Sequence, residues 1–220
     1  MHRISSLMIV ICVSMGCVLS VPSPIKAEMV VGVTETEKEI AIQAALAYPM
    51  VRREDGHKRP VYIWRRHKVA ELVAKYLRLD LVRLEDAWNK APRVHQAAIM
   101  AGLSQVGKPY VFGEESPTKG FDCSGFTWYA WHTAGVKIPR TIASQLSEKY
   151  RINPDKARAG SVLGRASHVY LYLGIDYAVV ASPLGGRHVT IRIVIKDLRK
   201  DLIWSDPTKG LVARPIAANY

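Results

Sequence analysis

The hydrophobic periodicity of this chain changes at Gly160, and the change restricts the folds that the chain can adopt. Before Gly160, apolar residues recur every three or four positions in segments that end near Pro or Gly, which is typical of amphipathic helices. After Gly160, short runs rich in Val, Ile and Tyr follow one another and are separated by Gly-containing turns. Helices followed by consecutive strands indicate an α+β fold with helices packed on an antiparallel sheet.

The same patterns predict the bounds of the individual elements. We expect Pro49 to end the first helix, Asp80 to cap the third, and residues 51–60 to form an exposed basic loop. Helices are predicted at residues 34–47, 69–79, 81–88, 93–106, 124–134 and 141–150. Strands are predicted at residues 161–163, 168–173, 177–182 and 189–195, with a last one at residues 211–216.

The N-terminus carries a short apolar run. Residues 7–19 follow Arg3 and are too few to span a bilayer, but they fit the apolar region of a signal peptide. Two prolines then interrupt any helix. We therefore predict that residues 1–27 are a signal peptide, cleaved after Ser20 or after Ala27. The protein would be secreted, periplasmic or cell-wall associated, without a transmembrane helix in the mature chain.

Cysteine usage singles out one thiol. Cys12 and Cys17 lie in the predicted signal peptide, so the processed protein would contain Cys123 alone. An unpaired cysteine in an exported protein indicates a reactive thiol. One cysteine cannot build a thiolate zinc site, and the chain has no His-Glu-x-x-His run. We therefore predict no metal and no cofactor.

The net charge of +12 favours an anionic partner. Anionic cell-wall polymers agree with export. Nucleic acid does not, and the chain lacks an aromatic and basic motif of the kind that reads nucleic acid. We therefore predict no nucleic-acid partner.

The sequence around Cys123 suggests nucleophilic chemistry. Asp122 can cap a helix that begins at Cys123, and the N–H groups of the first turn would then favour the thiolate. In such settings the pKa of a thiol falls to about 3.5–7.5. His168, on a strand face shared with Tyr170 and Tyr172, offers an imidazole to move protons. A buried packing cysteine is the alternative, but Asp before it and Ser-Gly after it would be unusual neighbours.

Four motifs together resemble the NlpC-type (NlpC/p-sixty) family of bacterial cell-wall cysteine peptidases. They are Gly107-Lys108-Pro109-Tyr110, Phe121-Asp122-Cys123-Ser124-Gly125-Phe126, Ile138-Pro139-Arg140, and the run from His168 to Gly174. The resemblance covers residues 93–220 and leaves residues 28–92 as a small helical segment before it. It implies a papain-like α+β core and a thiol protease that hydrolyses peptide bonds in peptidoglycan stem peptides. In this family the bond cut is often next to an acidic D-residue or diaminopimelate.

The resemblance also implies roles for single residues. By matching positions, Cys123 is the nucleophile and His168 the general base. Tyr110 and Asp122 correspond to substrate-pocket positions, and Ser124, beside the nucleophile, is predicted with them to bind substrate.

One departure from the family concerns the third catalytic position. A polar residue usually stands twelve positions after the histidine, and here that residue is Val180. We predict a hairpin with a three-residue loop, in which Ser182 lies across from His168 and Val180 across from Tyr170. Ser182 is then the first candidate to orient the imidazole; His188 or a backbone carbonyl is the second.

A second function therefore competes with the first. Val180 and the basic helical segment favour a catalytically weak wall-binding or scaffolding protein on the same fold. The Cys–His pair favours the peptidase, because a binding role needs neither residue.

Overall fold

The computed structural model describes residues 32–52, 59–183 and 187–209. The predicted signal peptide and the predicted last strand lie outside these residues. No helix in the described part of the chain combines the length and apolar character needed to cross a membrane.

Six α-helices, two short 3-10 helices (Pro154–Lys156 and Lys196–Leu198) and eight strands lie in the described residues. The helices are α1 (Glu35–Arg52), α2 (Arg59–Leu77), α3 (Leu81–Lys90), α4 (Arg93–Leu103), α5 (Cys123–Thr133) and α6 (Ile142–Gln145). The strands are β1 (Glu115–Ser116), β2 (Gly120–Phe121), β3 (Arg151–Ile152), β4 (Val162–Arg165), β5 (His168–Tyr172), β6 (Ala178–Ala181), β7 (Thr190–Ile193) and β8 (Ile203–Ser205).

Both predicted caps are confirmed. The Asp80 carboxylate accepts a hydrogen bond from the Arg83 backbone N–H at the start of α3. The Asp122 carboxylate accepts one from the Gly125 N–H at 2.6 Å and starts α5. Short-range caps of this kind depend on three or four consecutive residues, so they can be read from sequence.

Three predicted helix bounds are wrong. Helix α1 continues through Pro49, because Ala44, Ala47 and Val51 keep its apolar face in the core. Helix α2 begins at Arg59, well before residue 69. Basic residues interrupt the apolar pattern there, so the sequence does not indicate which face of the helix is buried. The predicted helix at residues 141–150 shrinks to the short α6.

The main sheet has six strands in the order β3-β8-β4-β5-β6-β7, and all neighbouring pairs are antiparallel. The chain is therefore α+β, with helices packed on an antiparallel sheet, as predicted. Strand β8 and the short strands β1 to β3 were not predicted, because two or three residues carry no readable alternation.

The sheet has two apolar faces. One face, with Val169, Leu171 and Val180, packs in the same core as α4 and α5. Gly102 of α4 makes this contact close, because a Cβ there would come within 2.6 Å of the Leu171 side chain. The other face carries a separate cluster, formed by Leu163, Tyr170, Val179, Ala181, Val194 and Trp204.

The N-terminal helices α1 to α3 belong to the same core as α4 and α5. Trp88 of α3 is fully buried, and its indole N–H donates to the Leu173 carbonyl at 2.7 Å. Tyr48 of α1 donates its hydroxyl to the Thr133 carbonyl at 2.5 Å. The boundary at residue 92 stays a prediction, since hydrogen bonds and apolar contacts cross it.

Candidate active site

Cys123 is the first residue of α5 and is largely buried. Two backbone hydrogen bonds hold the strand before it. The Phe121 N–H donates to the Pro109 carbonyl, and the Phe121 carbonyl accepts from the Val111 N–H. Asp122 has extended backbone geometry and ends that strand. The thiol is therefore held at a defined point, where a strand turns into a capped helix.

Burial raises the pKa of the Cys123 thiol above its ordinary value. The backbone N–H of Val169 and those of Ser124 and Cys123 itself lower the pKa, and the Asp122 charge raises it. The predicted low thiol pKa is therefore wrong. The N–H groups of the first turn act in the expected direction, but loss of water around the sulfur outweighs them.

His168 is the first residue of β5 and is 8% exposed. Its ring packs edge-on against Tyr170, with 4.6 Å between ring centres, which confirms the predicted shared face. Burial lowers the pKa of His168 to about 4, and the charges of Arg192 and Arg165 act in the same direction. The imidazole is therefore neutral at pH 7.

The thiol meets β5 at the residue that follows His168, through the Val169 N–H. No hydrogen bond joins the thiol and the imidazole among the described residues. At pH 7 the thiol is protonated and the imidazole neutral. The resting pair is thus neutral. Catalytic hydrogen bonds often tighten only when substrate binds.

Tyr110 lies within electrostatic reach of Cys123. Burial raises the pKa of the Tyr110 hydroxyl, and the charges of Cys123 and Asp122 add to the rise. Its backbone N–H donates to the Arg187 carbonyl at 2.7 Å, which fixes the strand-like segment that carries it. The side chain is only half-buried, so the predicted contact with substrate stays a prediction.

Asp122 and Ser124 turn toward Arg140. The Arg140 guanidinium donates to both Asp122 oxygens, at 3.0 and 2.8 Å, and to the Ser124 hydroxyl at 2.9 Å. Burial alone would raise the pKa of Asp122, but the bonds from Arg140 and from the Gly125 N–H hold it below its usual range. These contacts hold the start of α5; substrate binding by Asp122 and Ser124 stays a prediction.

Sequence reasoning missed the role of Arg140. The residue stands in one of the four family-like motifs, the run Ile138-Pro139-Arg140, but nothing local indicates its partners. Besides Asp122, its Nε donates to Glu115 at 2.7 Å. The Arg140 side chain therefore links β1 to Asp122.

The predicted hairpin register is wrong by one residue. Leu171 pairs with Val180 and Tyr172 with Val179. The turn contains Asp176 and Tyr177 with positive φ angles of 49° and 59°. Residues other than glycine seldom adopt this conformation, so the sequence does not indicate it. A shift of one residue moves each side chain to the other face, so Val180 faces the helical core.

Both candidates for orienting His168 are bound elsewhere. Ser182 is fully buried and donates its hydroxyl to the Phe121 carbonyl at 2.7 Å, so it supports the strand before the nucleophile. His188 lies 3.4 Å from Glu37 of α1. Among the described residues, the buried Nε2 of His168 has no hydrogen-bond partner.

No group of three or more His, Cys, Asp or Glu side chains in the described ranges could hold a metal ion.

The sequence profile of the NlpC/P60 family matches residues 107–206, which include Tyr110, Cys123 and His168. The matched segment is a little under half of the chain. The resemblance predicted from the four motifs is therefore confirmed, although the matched segment is shorter than residues 93–220.

Two curated relatives match part of this chain. A probable endopeptidase p60 from Listeria innocua is 33% identical over 100 residues, which are 43% of this chain and 21% of the relative. The murein DD-endopeptidase MepH from Escherichia coli is 30% identical over 118 residues, which are 49% of this chain and 43% of the relative. The matched region spans less than half the length of either relative.

Among solved structures, the peptidoglycan hydrolase RipB from Mycobacterium tuberculosis is similar to part of this chain. It is 25% identical in sequence and superposes with a TM-score of 0.45. The match covers 55% of this chain and 70% of RipB.

Proposed function

We propose that this protein is a cysteine endopeptidase that hydrolyses peptide bonds in peptidoglycan stem peptides outside the cytoplasm. The observation that carries the proposal is the position of Cys123, at the start of a capped helix and against the first residues of β5, where His168 stands. Its relatives at 30–33% identity are named endopeptidases, and one is named for its action on murein.

The proposed reaction begins from the neutral pair. As Sγ attacks the scissile carbonyl, its proton passes to the His168 imidazole. The oxyanion that forms can accept hydrogen bonds from the N–H groups at the start of α5. The imidazolium then returns the proton to the leaving amine, and water hydrolyses the thioester.

Burial of both groups suits this sequence. A desolvated imidazole with a pKa of about 4 is a weak base in the resting protein. Negative charge that develops on the substrate in the transition state favours the imidazolium beside it. We therefore expect the pair to ionise only with a bound substrate.

The test is mass spectrometry of purified muropeptides after incubation with the protein, with Cys123→Ala as the matched control. We expect new peptide termini with the parent protein and none with Cys123→Ala. Absence of products with the parent protein across muropeptides of differing cross-links would contradict the proposal.

A second function has support from one feature. Val180 and the unpartnered His168 Nε2 leave the imidazole without the usual orienting group. A protein that binds peptidoglycan without cutting it would tolerate this defect. Retention on insoluble peptidoglycan by both the parent and Cys123→Ala, with no products from either, would favour this second function.

A further inference from the structure

Two arginines approach His168 from different strands. Arg165 of β4 pairs directly with His168. Arg192 of β7 pairs with Val179, which in turn pairs with Tyr172 of β5. Residues that pair in antiparallel strands project to one face of a sheet. Both arginines therefore project to the face that carries His168.

Ring contacts bring Arg192 and His168 close together. The Arg192 guanidinium carbon lies 5.4 Å from the centre of the Tyr170 ring. The Tyr170 ring in turn lies 4.6 Å from the centre of the His168 ring. Tyr170 thus holds a guanidinium and an imidazole against the same aromatic side chain.

Several polar groups in this cluster have no partner. Neither Arg165 nor Arg192 forms an ion pair with any Asp or Glu of the described residues. The Nε of Arg165 and the Nε2 of His168 are buried, and neither has a hydrogen-bond partner within those residues. Buried donors and adjacent like charges without a partner cost free energy, which an anion between them would offset.

We propose that Arg165 and Arg192 form a subsite for a carboxylate of the peptide substrate, beside His168. The inference rests on the proposed peptidase function and identifies the substrate group that binds beside His168. A guanidinium binds a carboxylate through paired N–H donors, so two arginines on one face give a strong and directional site. Both side chains are half-buried and keep access to solvent.

The bound carboxylate would also act on catalysis. The charged groups that face His168 are Arg165 from β4 and Arg192 from β7, with the Tyr170 ring on its own strand. Both charges oppose the imidazolium that forms when the thiol attacks. A substrate carboxylate neutralises them, and so favours proton transfer in a site where Val180 supplies no polar group. Substrate recognition and activation of His168 would then be the same event.

The kinetic test uses two substrates that differ only in charge. One is a stem peptide with free carboxyl groups, and the other is the same peptide with every carboxyl group converted to a carboxamide. We expect the parent protein to favour the acid by at least about tenfold in kcat/KM, as loss of hydrogen bonds to a charged group implies. In the variant that carries Arg165→Gln and Arg192→Gln, the preference should fall below about twofold.

Arg199→Gln is the matched control. Its guanidinium also stacks on an aromatic ring, that of Tyr177 at 4.3 Å, but does not act on His168. This variant should keep the preference of the parent protein. Equal cleavage of the acid and amide peptides by the parent would contradict the proposed subsite but not the proposed peptidase function.

A second readout does not depend on turnover. NMR titration of His168 in the Cys123→Ala protein gives its pKa with each peptide bound. We expect the acid peptide to raise the pKa and the amide to leave it unchanged, with no such difference in the double arginine variant. If the parent cleaves neither peptide, the peptidase function fails, and this titration alone decides the subsite. An unchanged His168 pKa with saturating acid peptide would overturn it.

Discussion

The Arg140 guanidinium binds both carboxylate oxygens of Asp122, the residue before Cys123. The Nη1 atom lies 3.0 Å from Oδ1 and the Nη2 atom 2.8 Å from Oδ2. Gly125 lies directly beneath, and a Cβ there would come within 2.8 Å of Nη2. The first turn of α5 is thus held by an ion pair that spans 18 positions of sequence.

Arg140→Lys is expected to destabilise the protein. A lysine keeps the charge but cannot reproduce the paired geometry, and Asp122 is mostly buried, at 11% side-chain exposure. We expect a loss of about 1–3 kcal/mol in the free energy of unfolding, measured by urea denaturation. The matched control is Arg83→Lys, since Arg83 grips Asp176 with the same two-pronged geometry at an exposed site. Equal losses in both variants would show that burial of Asp122 does not matter.

The sequence predicted those parts of the site that depend on neighbouring residues. Asp122 caps its helix through a bond to Gly125, only three positions away. The contact between His168 and Tyr170 follows from the alternation of a single strand. Such features need no knowledge of the rest of the fold.

Features that depend on distant segments could not be read in the same way. The error in register arose at Asp176 and Tyr177. Both have positive φ angles, which no local sequence pattern indicates. The rise in the thiol pKa comes from burial, which only the packed structure determines. Arg140 was part of a recognised motif, yet its partner could be found only once the fold brought them together.

Alkylation should report the raised pKa of Cys123. Since burial raises the thiol pKa, we expect the rate with iodoacetamide to reach half its maximum above pH 8.5, the approximate pKa of an ordinary thiol. At pH 7, the thiolate would then amount to less than about 3% of the protein. A short unstructured peptide with one cysteine, alkylated in parallel, is the control. A half-maximum below that of the peptide would contradict the assigned effect of burial.

Asp206 should make stability depend on pH in the acid range. Burial alone would raise the pKa of Asp206, but His95 at 3.2 Å and the Thr208 hydroxyl and N–H lower it well below its usual range. A carboxylate with a lowered pKa stabilises the fold above its unfolded pKa of about 3.9, and loses this effect as pH falls through its folded value.

Asp206→Asn should therefore cost most near neutral pH. We expect a loss of about 2–4 kcal/mol in the free energy of unfolding at pH 7 and a clearly smaller loss at pH 3. Urea denaturation at the two pH values gives both numbers. Asp155→Asn is the control, because Asp155 pairs with Lys156 at the surface and should show little effect at either pH. A loss that is the same at both pH values would mean that Asp206 acts through packing rather than charge.

Glu37 connects the N-terminal helices to the segment that carries Tyr110. Its carboxylate accepts bonds from Thr190 of β7 at 2.7 Å and from the Thr34 N–H at 3.0 Å, and it lies 3.4 Å from His188. His188 forms a backbone bridge with Pro109, next to Tyr110. A chain of contacts therefore runs from α1 to the segment that carries Tyr110.

Glu37→Gln should loosen this connection at both ends. The amide keeps one acceptor oxygen, but it lacks the negative charge that the hydrogen bonds from Thr34, Thr190 and His188 stabilise. We expect faster amide hydrogen exchange in α1 and also at residues 107–111 and 187–190, together with a loss of about 1–3 kcal/mol in the free energy of unfolding. Glu35→Gln is the matched control, since Glu35 lies two positions earlier in the same helix and its exposed carboxylate pairs with Lys38 at the surface. If exchange quickens in α1 but not at residues 107–111, the N-terminal helices stabilise the fold without acting on the Tyr110 segment. If it quickens at both, a change in KM for muropeptides should accompany it, because Tyr110 lies within electrostatic reach of Cys123.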